Sequence, residues 1–234
     1  MKEKRASNYE KLCEDWRLKF LELDQEKLCR RLPELKQEGE YLTLFHFGQK
    51  YGVHRQTGQI FALSDWLMRG GADDKASEAL EEVSVNVRLD IYNLFWYSKE
   101  TAYFQNRWVP FRELKNAGPF APAFEKNILK PLAATFEGKP DKLREAAQAL
   151  GGEMLSQADV GFILPCFVCI PMQFLFWDGD DEFPAQANIL FDYSATDYIH
   201  VESTVTLATE GLVRLKKAAG LPLRGTTFEI ENGS

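Results

Sequence analysis

An α+β fold is predicted, with an antiparallel or mixed sheet drawn from two strand clusters, at about 40–62 and 160–192, and packed with helices. Three observations predict it. Segments with apolar residues at helical spacing bracket two stretches rich in β-branched and aromatic residues. The links inside each cluster are short, which suits hairpins and not the long crossovers of βαβ units. No internal repeat or low-complexity linker divides the 234 residues. A single domain over 1–234, with the helices of 7–33 packed on its core, is therefore the simplest organisation.

The elements follow in order. Ser7-Asn8-Tyr9-Glu10 fits a capping box, in which the serine oxygen takes a free backbone N–H and the glutamate reaches back. Tyr9, Leu12, Trp16, Phe20 and Leu23 then recur as one apolar stripe. Asp24 is placed to cap a second short helix, with Leu23 and Leu28 as its hydrophobic staple; Leu32 continues the stripe and Pro33 stops it. YLTLFHFG reads as a strand and YGVHRQTGQIF as a hairpin, with Gly58 supplying positive φ at the turn. Residues 64–78 read as a loop or short helix, punctuated by Gly70-Gly71 and Asp73-Asp74. Over 83–91 the valines alternate as in a strand, yet Leu80, Val83, Val87, Ile91, Leu94 and Phe95 fit a helical face. The apolar run is too long for a usual strand, so the expectation for 78–98 is a helix.

WVPFREL (Trp108 to Leu114) leads into a bend at Gly118-Pro119 and Pro122. Residues 124–136 and 140–150 read as helices; Pro140 and Asp141 open the second and Gly151-Gly152 stops it. Runs 160–166 and 170–177 are apolar enough for buried strands, with irregularity forced near Pro165 and Pro171. NILFDYS is a third strand, 202–219 a closing helix, and Thr226 to Ile230 a late β-like run.

Composition bounds the function. The 45% hydrophobic and 27% charged shares are those of a folded globular chain. The formal charge is −7 and no cation cluster exceeds KEKR at Lys2 to Arg5, which argues against nucleic acid and anionic membranes as partners. The longest apolar run, 160–177, is interrupted by two prolines and a glutamine and falls short of the ~20 residues of a spanning helix. The charged N-terminus lacks the apolar core of a signal peptide, so a cytoplasmic location with Cys13, Cys29, Cys166 and Cys169 reduced is expected.

Four constellations could carry chemistry. In FWDGDDEFPA, Asp178, Asp180, Asp181 and Glu182 stand between Trp177 and Phe183. Hard cations want converging oxygens and a bend that glycine allows, so Asp178, Asp180 and Glu182 are the candidate metal ligands; yet Phe183-Pro184 interrupts a calcium-loop pattern. A hydrated hairpin turn or general acid–base work are the other readings. Cys166-Phe-Val-Cys169 has metal or redox spacing, but it lies in an apolar run and not at a helix start, and no second pair completes a zinc set; buried structural thiols are the simpler reading. His46, His54 and His200 stand apart without ligand spacing. Arg112, beside Glu113, is placed either to pair with Asp192 or the acidic turn, or to clamp an anionic ligand. No phosphate loop, nucleophile elbow, zinc-protease helix or dinucleotide fingerprint occurs.

One further pattern is an ordered set: WVPFREL, Leu150-Gly151-Gly152, Asp159 before an apolar run, WDGDDEFPA, and ILFDYSA at Ile189 to Ala195. Over roughly 40–217 this set resembles an uncharacterised family of anaerobic bacteria and archaea, domain of unknown function 3786. The resemblance implies a neighbourhood more than a role. Some members carry an added iron–sulfur segment with closely spaced cysteines, which this chain lacks, and some are encoded near corrinoid-dependent methyl-transfer proteins. A protein partner in corrinoid or iron–sulfur metabolism is thereby implied; no catalytic residue and no cofactor is carried over. The reading that results is an accessory or binding protein with its surface beside Trp177 to Phe183 and WVPFREL. The alternative is an enzyme or metalloprotein holding a divalent cation at the acidic turn.

Overall fold

A computed structural model describes residues 8–63 and 83–225. Ser7 of the expected capping box, the basic run at 2–5, the loop or short helix expected over 64–78, the first residues of the helix expected from 78, and the β-like run 226–230 lie outside the described residues.

The chain is α+β. Helix α1 (Asn8–Leu21) buries Cys13, Trp16 and Phe20 against α3 (Val85–Tyr97), through a Trp16–Trp96 edge contact at 6.0 Å and Phe20–Phe95 at 5.6 Å. The expected stripe is turned at its start: Tyr9 and Leu12 are exposed and Cys13 faces inward. Asp24 caps α2 (Gln25–Arg31) by accepting from the Glu26 and Lys27 backbone N–H groups at 3.1 and 3.0 Å, and the helix closes at Leu32, before Pro33. Helix wins over alternation in α3 because both flanks are buried: Val87, Ile91, Leu94 and Phe95 join one core, and Ser84 caps the first turn.

The two strand clusters form two sheets, each antiparallel throughout. The first holds β1 (Lys36–Glu38), β2 (Tyr41–His46), β3 (Gln49–His54) and β4 (Ile60–Ala62) in that order. The strand expected to run through YLTLFHFG instead stops at His46, and Phe47-Gly48 makes a two-residue turn with φ of 48° and 74°. That geometry matches the right-handed twist of a hairpin. It is strained for phenylalanine, and packing holds it: Phe47 is buried and its N–H donates to the Cys166 carbonyl at 2.9 Å. Gly58 takes φ 74° as expected, and a Cβ there would press on Arg17 Cγ at 2.9 Å.

The second sheet has the order β5-β9-β8-β7-β6, from β5 (Trp108–Pro110), β6 (Glu153–Leu155), β7 (Val160–Phe167), β8 (Ile170–Trp177) and β9 (Gln186–Asp192). The irregularity expected near Pro165 is a bulge between Pro165 and Phe167. Across one face runs a continuous helical stretch: α4 (Ala121–Phe124), a π-helical turn (Glu125–Leu129) and α5 (Lys130–Phe136). Pro131 has no N–H to donate inside this stretch, and the wider π turn, in which Lys130 N–H reaches Glu125, lets the helix continue through it. Helices α6 (Pro140–Ala149), α7 (Ala195–Tyr198) and α8 (Val201–Ala218) complete the fold. One hydrophobic core joins residues of both sheets and of α1, α3 and α8. No helix among the described residues is long and apolar enough to cross a membrane.

Candidate functional site

The acidic block is the connection between β8 and β9, and its first carboxylates organise backbone. Asp178 Oδ1 accepts from Gly138 N at 2.8 Å and Gly179 N at 2.9 Å, while Asp178 N donates to Asp159 Oδ2 at 2.7 Å. Asp180 Oδ1 accepts from the Phe183 and Glu182 N–H groups at 2.7 and 2.8 Å, and these two bonds hold its carboxyl below the usual range. Glu137 reaches over to Ala185 N at 3.3 Å. A Cβ on Gly179 would fall 2.9 Å from Ala185 N and 3.0 Å from Glu137 Oε1, so the loop closes only around glycine. Asp181 and Glu182 face solvent, beside the exposed rings of Trp177 and Phe183. Among the described residues, no three His, Cys, Asp or Glu side chains are gathered where one metal ion could sit.

The expected ion pair between Arg112 and Asp192 is not formed. Asp192 is buried and turned to the preceding bend: it accepts from Gln105 N at 3.1 Å, Arg107 N at 2.9 Å, Ser194 N at 3.0 Å and the Ser194 hydroxyl. Burial pushes its carboxyl up, but those donors outweigh burial and hold it below the usual range. Pro110 ends β5, and Phe111–Glu113 turn away as a 3₁₀ turn that leaves Arg112 and Glu113 exposed. Arg112 has no ion-pair partner among the described residues, in the acidic turn or elsewhere.

Arg112 stands on the rim of a groove of about 860 Å³ between the α4–π–α5 stretch and the first half of β9. Phe111, Phe124, Leu129 and Ala133 give it an apolar wall; Phe111 and Phe124 stack at 4.1 Å, almost parallel. Residues Pro184 to Asn188 form the opposite side, and Glu125, Lys130 and Glu137 join Arg112 on the rim. Thus the groove adjoins the acidic loop without containing its four carboxylates.

The strand side of this groove is an open sheet edge. β5 pairs only with Leu190 to Asp192, so Gln186 to Ile189 are hydrogen-bonded to β8 alone. Tyr193 N donates to the Arg107 carbonyl at 2.8 Å, which marks that residue pair as hydrogen-bonded. By the alternation of an antiparallel ladder, Phe191, Ile189 and Ala187 turn their backbone groups to the same side. Past Pro110 no strand among the described residues pairs with them. Asn188 Oδ1 accepts from Ile189 N at 2.9 Å, and the Ala187 backbone has no hydrogen-bond partner there among the described residues. Sequence reasoning missed this edge because it depends on register; Pro110 was the available signal that β5 ends early.

A second polar cluster lies between the two sheets. His46 is fully buried; its Nδ1–H donates to the Cys166 carbonyl at 2.8 Å, and its Nε2 is 3.8 Å from Asp90 Oδ2. Neither Asp90 oxygen has a hydrogen-bond partner among the described residues. Burial raises the Asp90 carboxyl well above its usual range and lowers His46 to about 3, so the two face each other uncharged and not as an ion pair. Cys166 and Cys169 flank the β7–β8 turn as free thiols. Burial raises both, the reverse of an activated thiolate, in line with the structural reading. His54 and His200 cap local backbone: His54 Nδ1 accepts from Thr57 N at 3.2 Å, and His200 Nδ1 from Glu202 N at 3.3 Å at the start of α8.

The family model of a domain of unknown function, DUF3786, matches residues 24–214. No curated protein and no solved structure matches the chain.

Proposed function

The chain belongs to the DUF3786 family, and from that premise we propose that it is a non-catalytic accessory or binding protein whose groove beside β9 receives a segment of a partner protein. One observation carries the reading: an apolar groove of about 860 Å³ lies directly along an unpaired stretch of sheet. Volume alone would suit a small molecule equally. Free backbone groups along one wall favour a ligand that has a backbone of its own. The continuous core supports treating the chain as a single domain that presents this groove as one rigid face. The family resemblance nominates proteins of corrinoid or iron–sulfur metabolism as the first partners to test.

The test is a peptide-display selection on the purified protein, followed by affinity measurement against Ala121→Arg, which places a long side chain in the groove where Ala121 now lines it. Selected peptides that lose about tenfold or more in affinity for this variant support the reading. Binders indifferent to it would refute it. So would a stoichiometric divalent cation that disappears in the combined Asp180→Asn, Glu182→Gln variant, which would favour the metalloprotein reading of the acidic turn. For the corrinoid class, a protein purified anaerobically that retains no added corrinoid, judged by its absorption spectrum, would remove the cofactor and leave only its protein partners in play.

A further inference from the structure

Resting on that reading, we infer that the guest is an extended, cationic peptide that adds a strand to the second sheet, pairing antiparallel with Gln186 to Ile189 in line with β5. The ladder sets the position. β5 already runs antiparallel to β9 and stops at Pro110, opposite Leu190. Beyond it the edge stays open for roughly 13 Å, about four strand residues. A guest there continues the line of β5, takes the free N–H and C=O of Ala187, and sends alternate side chains toward the wall of Leu129 and Ala133.

Charge sets the chemistry. Glu125 and Glu137 line the groove, and Asp178, Asp180, Asp181 and Glu182 stand at its lip: six carboxylates, against Arg112, Lys130 and, bonded to the Glu137 carbonyl, Lys139. Lys130 is already within 3.5 Å of Glu125. The imbalance is not uniform along the strand. The acidic loop precedes Gln186, whereas Arg112 lies at the Pro110 end. An antiparallel guest therefore meets Arg112 with its N-terminal end and the carboxylates with its C-terminal end. Its preferred pattern is an acid, then alternating apolar residues, then lysine or arginine. Complementary charge of this kind orients the guest and speeds its capture, and it weakens with salt.

The occupant to test against a partner is the chain's own end. A side chain at Gly225 would meet Ala134 Cβ at 3.3 Å, so the described chain ends against the outer wall of the same groove. The experiment separates the two.

The probe is a fluorescein-labelled synthetic peptide, Asp-Val-Thr-Val-Thr-Val-Lys-Lys, read by anisotropy with the full chain. Two N-methylated versions follow, one blocking the alternate amides that face β9 and the other blocking the intervening set. The expected result is saturable binding that falls about tenfold with the first set and little with the second, and about tenfold again when the lysines become glutamates. Ala187→Pro deletes the one open-edge N–H and is expected to mimic the first set. If both N-methyl sets bind equally while Ala121→Arg still abolishes binding, strand addition is overturned and the groove reading stands. If Ala121→Arg changes nothing, both fall. Binding that emerges only after residues 226–234 are removed assigns the edge to the chain's own segment and overturns the partner. Absence of binding to either form overturns the inference outright, and because the N-methyl comparison uses unaltered protein, strand addition is tested whether or not a variant folds.

Discussion

The junction between the sheets and the groove beside β9 both set polar groups against β-structure, and they treat them in opposite ways. At the junction the Cys166 carbonyl takes two donors, from Phe47 N and His46 Nδ1, and the facing Asp90–His46 pair is uncharged. At the groove the Ala187 backbone is left without partners and Arg112 without a counter-ion among the described residues. Desolvation explains the difference: an isolated charge inside the core would be too unfavourable, whereas a rim charge keeps its hydration until something binds. Closed polar sites of this kind hold a fold together, and open ones are where a fold can act.

The largest effect should fall on the closed side. Phe47→Ala keeps the left-handed backbone but empties the space between the sheets, and is expected to lower unfolding free energy by ~3 kcal/mol in denaturant titration. Ala121→Arg on the open side should stay within about 0.5 kcal/mol of the parent. Comparable losses would break the contrast between the two regions.

The pH dependence sharpens it. Asp90 is raised in the fold, so the folded state holds a proton that the unfolded chain releases above about pH 4. Stability from this group is present below that pH and is lost as pH rises. His46 is lowered to about 3 in the fold, so the unfolded chain gains its proton first, and stability is lost as pH falls below about 6.5. Between about 4 and 6.5 the two slopes oppose each other and largely cancel. Asp90→Asn removes one of them and should gain on the parent as pH rises above about 4, by no more than about 1 kcal/mol per pH unit. A difference that stays flat over this range would mean that Asp90 holds no proton in the fold.

Smaller effects belong to the acidic loop. Gly179→Ala forces a Cβ against Ala185 N and should destabilise by about 1 kcal/mol in the same titration. Smallest is Asp180→Ala, which removes the acceptor for Glu182 and Phe183 N–H. It should leave the unfolding midpoint where it is and speed hydrogen exchange at those two amides only. Faster exchange spreading into β8 or β9 would show that the loop carries more of the sheet than its own turn.

Much of the architecture was legible because it rests on local chemistry. The Asp24 cap, the Gly58 turn, the helix over 85–97 and the strands on either side of the acidic block each follow from a few adjacent residues. The short strands β1, β5 and β6 were not legible, since three residues show no period. Nor was the Phe47-Gly48 turn: every residue from Tyr41 to Phe47 except His46 is a fair strand former, and tertiary contacts, burial of the ring and the bond to the Cys166 carbonyl, hold Phe47 in its strained conformation. For the candidate site, the neighbourhood of WVPFREL and the acidic block could be read. The partner assigned to Arg112 could not, because Asp192 is claimed by backbone donors whose approach depends on tertiary packing.

The π turn at Glu125–Leu129 holds one more residue than an α turn would. Excise one, such as the exposed Asn127, and the coil could close as an ordinary α turn with everything downstream still in phase. Leu132 and Phe136 would keep to the interior and Ala133 to the cleft it borders, but the ring of Pro131 would then press on a carbonyl one turn back. The widened coil is thus what carries the helix past its proline while the same surface looks at the unpaired strand. Shortening the chain there would strain the wall of the cleft without altering any side chain that touches a guest.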